Sequence, residues 1–297
     1  MAGMTESSGE SARLWVAPEL PGVDLLRARY VRRVFIPHTH PTFVIAGITE
    51  GVEVFRHRGS LERAGAGGLA LINPDVPHTG RAGVPEGWAY GALYPAADVV
   101  DAVAAEVIGL RGSAWFAEPV VHDPVAVRLV GQVLAAVEER QALAADSLLR
   151  IAVARLLRTA GGARPQHVVR DAGARLAARA REELLARMTD PPTLDELARA
   201  LDTGPFALLR AFRTRYGMPP HAWLTDARVR RARELLDVGV RPAEAAVAVG
   251  FTDQSHLHRH FHRSVGVTPG AYQRARRVRQ PSHGRARTYK NDLGPTA

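Results

Sequence analysis

The chain has 297 residues, 46% hydrophobic and 23% charged, ordinary globular values that exclude wholesale disorder and leave room for two domains with separate cores. It has no cysteine, which excludes disulfides, thiolate metal sites and a cysteine nucleophile. The net charge of +9 is unevenly placed: residues 1–170 hold 17 basic against 17 acidic side chains, and residues 171–297 hold 22 against 13.

Taken in order, the polar N-terminus MAGMTESSGESARLW lacks the basic start and apolar run of a secretory signal. No later stretch offers about twenty uninterrupted apolar residues, so a cytoplasmic protein without membrane contact is expected. Residues 1–20 read as a disordered tail. Residues 25–35 are strand-compatible, and PHTHP follows, which puts His38 and His40 on the same face of a strand. Residues 43–48, 52–57 and 69–72 are short apolar or alternating runs separated by TEG, RGSLERAGAGG and NPDVPHTG, whose Gly, Pro, Asn and Asp are turn formers. A strand over 88–94 completes an all-β sandwich or barrel pattern.

From Pro95 the periodicity becomes helical, over 97–108, 123–140 and 144–159. These helices either pack on the β-domain or pair two chains as a homodimer. GGARPQ at 161–166 marks a linker, giving an effector domain over 21–164, a helical domain over 165–281 and a second tail over 282–297. Beyond the linker a helix over 171–187 is followed by Thr193 and Glu196 in capping-box spacing, then by helices opened by Pro205, Pro220 and Pro242 and one over 253–265.

The helical half contains an internal repeat. Leu208, Arg210, Phe212, Gly217, Pro220, Ala222 and Trp223 recur 49 residues later as Leu257, Arg259, Phe261, Gly266, Pro269, Ala271 and Tyr272. Each copy reads as helix, tight turn, helix, a motif whose second helix enters the DNA major groove. Phe206, Leu209, Arg210 and Arg213 fall on the outer side of the first such helix, and Gln254, Ser255, His258, Arg259 and His262 on that of the second. Arginine donates two bonds to guanine, glutamine pairs with adenine, and the excess positive charge attracts the phosphates. The histidines at 256, 258, 260 and 262 alternate around a helix, so a metal cluster is not expected from them.

This half resembles the DNA-binding domain of AraC/XylS-family transcriptional regulators, on Ala246, Gly250, Phe251, Ser255, Leu257, Arg259, Phe261, Gly266, Thr268, Pro269 and Tyr272. Gly204 stands where that family commonly has serine. The N-terminal half resembles the cupin-like effector domain many such regulators carry, on the HTH at 38–40 and the run GGLALINPDVPHTG. The resemblance implies an α+β protein: a cupin-like β-barrel with packing or dimerisation helices, then an all-α double helix-turn-helix domain. It implies double-stranded DNA, a small-molecule effector and RNA polymerase as partners, and no catalytic residues.

His38, His40 and His78 match the histidines of metal-binding cupins, but Glu50 and Glu53 lie too far along for the usual glutamate, and Val76 replaces a common glycine. They are therefore read, with Phe43, Trp88 and Tyr90 and with Tyr94 as a further wall, as lining an effector pocket. No cofactor is assigned, and these three histidines are the metal candidates. The alternative is a metal-dependent cupin enzyme carrying a helical domain.

Overall fold

The computed structural model describes residues 9–110, 112–163 and 172–277. Its strands are β1 (Ser11–Val16), β2 (Val23–Tyr30), β3 (Val34–His38), β4 (Val44–His57), β5 (Ser60–Gly65), β6 (Gly68–Ile72), β7 (His78–Ala82), β8 (Trp88–Pro95), β9 (Ala114–Phe116), β10 (Val120–His122) and β11 (Gly161–Ala163). Two antiparallel layers share β4. Its first half lies between β6 and β8 in the order β1-β2-β8-β4-β6-β10, and its second half pairs with β5 and with β7, which in turn pairs with β3.

The bend between the halves falls where TEG was expected to be a turn. The register with β8 shifts between Ile48 and Glu50, and Gly51 follows with φ +67°. A Cβ on Gly51 would lie 2.0 Å from the Gly87 carbonyl oxygen, so the crossing tolerates only glycine. Turn-forming composition thus marks a bulge inside one long strand. RGSLERAGAGG likewise contains β5, paired back on β4 through a turn at Arg58 and Gly59.

Residues 11–16 of the expected tail are a strand in full register with β2, while residues 1–8 lie outside the described residues. The strand expected over 25–35 is two, β2 and β3. The expected linker over 161–166 begins as β11, paired with β9; the rest of it, 164–166, is outside the described residues.

Helices α1 (Ala97–Ile108), α2 (Pro124–Glu138) and α3 (Ala142–Ala160) cover the outer face of the first layer. Asp123 caps α2 by accepting from the Val125 and Ala126 amides. Val130, Leu134, Leu149 and Leu156 pack there with Leu25, Ile45 and Leu93. Most of the apolar surface of these helices is therefore buried within the domain, leaving Leu143 and Ile151 exposed, 82% and 54%.

The helical domain comprises α4 (Ala172–Ala186), α5 (Leu194–Ala200), α6 (Pro205–Tyr216), α7 (Pro220–Asp237), α8 (Pro242–Ala248), α9 (Gln254–Val265) and α10 (Pro269–Arg277). Thr193 and Glu196 form the capping box of α5. Ala180, Leu184, Leu197, Leu208, Phe212 and Trp223 make a core of their own around the first helix-turn-helix unit. The second unit differs: Leu236, Val249, Leu257, Phe261 and Tyr272 form one continuous cluster with Tyr30, Phe35, Phe55 and Trp88 of the barrel. Each fully buried aromatic or leucine contributes about 1.5–3 kcal/mol, so this seam is a substantial part of the fold.

A candidate DNA-reading surface and a histidine cavity

The repeat extends to the backbone. α6 and α9 are both 12 residues long, each ends on a left-handed glycine, Gly217 at φ +71° and Gly266 at φ +86°, and each is followed by a helix opened by proline. Leu208 and Phe212, like Leu257 and Phe261, are fully buried and fix which face turns outward. On α6, Arg210 and Arg213 are exposed, Phe206 is 85% exposed and Leu209 is half-buried. On α9, Gln254, Ser255, His258 and Arg259 are exposed.

His262 is placed otherwise. Its ring lies 2.9 Å from Arg33 Nη1, and its carbonyl accepts from the same guanidinium, so it is engaged by the barrel and not by the outer face. Burial, reinforced by the Arg33 charge, lowers its pKa to about 4. Two of the other three histidines are also occupied: His256 meets the Thr252 hydroxyl at 2.9 Å and His260 stacks on Phe251. The basic helix α10 is partly structural. The Gln273 amide donates to the Val240 carbonyl at 2.6 Å, and Arg276 grips Asp24 of the barrel with two bonds of 2.7 and 2.8 Å.

His38, His40 and His78 do converge. His38 ends β3 and His78 starts β7, and the two are directly opposed in register. One nitrogen from each of the three rings lies within 4.8 Å of the others. Nδ1 of His38 donates to the Ile36 carbonyl at 2.8 Å and Nδ1 of His78 to the Val76 carbonyl at 3.1 Å, which leaves Nε2 of each ring with its lone pair free. Burial lowers all three pKa values and keeps the imidazoles neutral at pH 7.

The cavity they line is about 50 Å³, with Glu53, Phe55, Tyr90 and Tyr94 as further walls and Ser264 and Val265 of α9 closing it. Burial pushes Glu53 up to about 7, and its carboxylate has no hydrogen bond or ion pair among the described residues. Sequence spacing set Glu53 aside; strand alternation would have found it, because His57 also opposes His78 in register and Glu53 and Phe55 share its face. Of the other expected wall residues, Phe43 packs on Phe116 beneath the outer helices, and Trp88 is buried beside Tyr30 and Tyr90 without lining the cavity.

The loops that carry these histidines also carry the helical domain. Between His38 and His40, the Thr39 amide and hydroxyl donate to the buried Asp226 of α7 at 3.1 and 2.6 Å. Arg230 bridges Asp226 to Asp75, and Pro77 lies against Gly217 at the end of α6. A separate cleft of about 460 Å³ opens between the domains near Asp24, Tyr94, Trp223 and Arg233.

Residues 20–157 match the family model for the AraC-like ligand binding domain, and residues 197–275 match a helix-turn-helix domain model. The HTH-type transcriptional regulator YbfI of Bacillus subtilis is 26% identical over 84% of this chain and 90% of its own length. The Regulatory protein ada of Salmonella typhimurium is 38% identical over 28% of this chain and 24% of its own length, so the likeness there concerns only that part. ToxT from Vibrio cholerae O395 superimposes with a TM-score of 0.51 at 11% identity over 90% of this chain and 98% of that one, a likeness of fold alone. The two domain matches in this order, together with the doubled helix-turn-helix, are those of an AraC-type transcriptional regulator, with an N-terminal ligand-binding domain and a C-terminal helix-turn-helix DNA-binding domain.

Proposed function

We propose that α6 and α9 read two half-sites on one side of the duplex, and that a ligand held in the N-terminal domain changes how they are presented. The observation that carries this reading is the equivalence of Arg210 and Arg259, both exposed at the sixth position of two helices of equal length. The 18 residues of α7 that join the units make a rod of about 27 Å, close to the roughly 34 Å between successive major grooves. Arg210, Arg213, Gln254, Ser255, His258 and Arg259 contact bases or phosphates, and Phe206 offers an apolar face to a thymine methyl.

Selection of duplexes from a random pool by the full chain tests this. A bipartite motif with half-sites about one turn apart, and affinity that falls steeply with salt, is the expected result. Enrichment of no motif would sink the reading. Homodimerisation through α3, where Leu143 and Ile151 are exposed, contact with RNA polymerase and a cytoplasmic location belong to the same proposal. Among the described residues no helix is long and apolar enough to cross a membrane. The competing reading, a metal-dependent enzyme, has the histidines in its favour. Against it, the cavity of about 50 Å³ leaves no space for an organic substrate beside an ion.

A further inference from the structure

We propose that the outward face of the second barrel layer is a DNA-backbone surface: Arg32 of the β2–β3 loop, Arg56 of β4, Arg63 of β5 and Arg81 of β7 hold phosphates of the duplex that flanks the half-site read by α9. The proposal rests on the regulator reading above and extends it from the helical domain to the barrel.

Three observations carry it. The first is a row of side chains. Glu53 and Phe55 line the barrel cavity, so by strand alternation Val54 and Arg56 turn outward. In register, Val54 stands between Arg63 of β5 and Arg81 of β7, and Arg81 stands beside Val34 of β3. Residues opposed in register share a face and strands lie about 4.8 Å apart, so the row crosses the layer over about 14 Å, the scale of one groove of a duplex. The second observation is charge. Arg32, Arg56, Arg63 and Arg81 are exposed, and none of them forms a salt bridge among the described residues. On the first layer, by contrast, Arg13 and Arg27 are paired with Glu138, and Arg29 with Glu50. The acids of the second layer are turned away from the row: Glu53 faces the cavity, and Glu62 opposes the inward Phe55 in register. The barrel half of the chain is balanced in charge, so this basic face comes from placement and not from composition. Unpaired guanidinium groups on a rigid face match the geometry of phosphate and gain from release of its counterions.

The third observation is continuity with the reading helix. The outer side of α9 carries His258 and Arg259 and ends at His262, on which the Arg33 guanidinium sits. Arg32 precedes it on a loop whose shape is fixed by Glu10, which accepts from the amides of Val31, Arg32 and Arg33 at 2.8, 2.6 and 3.0 Å. That carboxylate is spent on the backbone and leaves the Arg32 side chain to the outside. Val34 and its neighbour Arg81 follow directly. β7 starts next to Pro77, which lies against the end of α6, and runs away from it to Arg81, so the row stands at the end of the layer farther from the first unit. A duplex seated on α9 and continued past its half-site meets this face.

The test measures binding of the full chain to the selected duplex in two forms, one cut flush with the α9 half-site and one extended beyond it by about ten base pairs, a helical turn. The parent should bind the extended form about tenfold or more tightly at low salt, with a steeper salt dependence. Arg32→Gln/Arg63→Gln/Arg81→Gln, three changes of exposed side chains, should remove that advantage and reduce the salt slope by about 2–3, because phosphate contacts position without reading sequence; the selected motif should stay the same. The exposed Arg128→Gln, on the outer helix α2, should leave affinity and slope unchanged. Equal affinity and slope for the triple variant and the parent on the extended duplex overturns the surface while the regulator reading stands. Enrichment of no duplex by the parent overturns both. Phosphatidylserine vesicles bound by the parent and released by the triple variant, with DNA binding unaltered, would assign the face to a lipid surface and overturn its DNA role.

Discussion

The two helix-turn-helix units share a backbone and differ in what they lean on. The first closes its own core around Leu208 and Phe212, whereas the second completes a core that runs into the barrel through Tyr30, Phe35 and Trp88. Two copies of one motif have therefore become unequal: the first has a core of its own and meets the barrel at Asp226 of α7 and at Gly217, and the second is part of the barrel's packing. On the function proposed above, a ligand in the barrel is expected to act most directly on the second.

The largest expected effect comes from emptying the two cores at equivalent positions. Phe212→Ala and Phe261→Ala should each cost about 3–5 kcal/mol. Hydrogen exchange should show the first loosening only α4 to α6 and the start of α7, and the second loosening the barrel interior as well. Identical exchange patterns for the two would end the distinction. Asp24→Asn comes next, because it removes the more buried of the two carboxylates that face Arg276 and Arg233, 3.9 Å from the latter, and leaves both guanidinium groups to Asp237 alone. A loss of about 3 kcal/mol, read as two thermal transitions in place of one, is expected.

Arg33→Ala should cost about 1–3 kcal/mol, by removing charge-assisted bonds to His262, and should raise affinity for the half-site that α9 reads without altering the other. The smallest effect is a pH slope. His262 has a folded pKa of about 4 against an ordinary 6.5, so the unfolded chain binds its proton more readily and the group's contribution to stability falls as pH drops from about 6.5 toward 4. Thermal melts between pH 7 and pH 5 should show a shallower slope for His262→Gln than for the parent chain.

Much of this was legible beforehand. The repeat, the proline and glycine helix boundaries and the capping box are local devices, and α5 to α9 fall where they predict. The barrel was read less well because its long-range pairing overrides local composition. TEG became a bulge, and Ser11–Val16 became a strand only by pairing with β2. In the site, His38, His40 and His78 met as their pattern suggested, while Glu53 was passed over because linear spacing is a poor measure of proximity across a sheet. His262 was assigned outward from helical periodicity; no rule internal to the helix reveals that Arg33, 229 residues away, would claim it.

The shared core also bears on how such a chain can change over generations. If α6 reads a half-site as proposed, substitutions on its outer face are expected to retarget it while the barrel stays as it is, since the buried residues beneath that helix belong to its own cluster. Beneath α9, Leu257 and Phe261 belong to a cluster shared with Tyr30, Phe35 and Phe55, in a different part of the sequence. Sequence drift across a set of relatives is therefore expected to be free in the first unit and correlated with the barrel in the second.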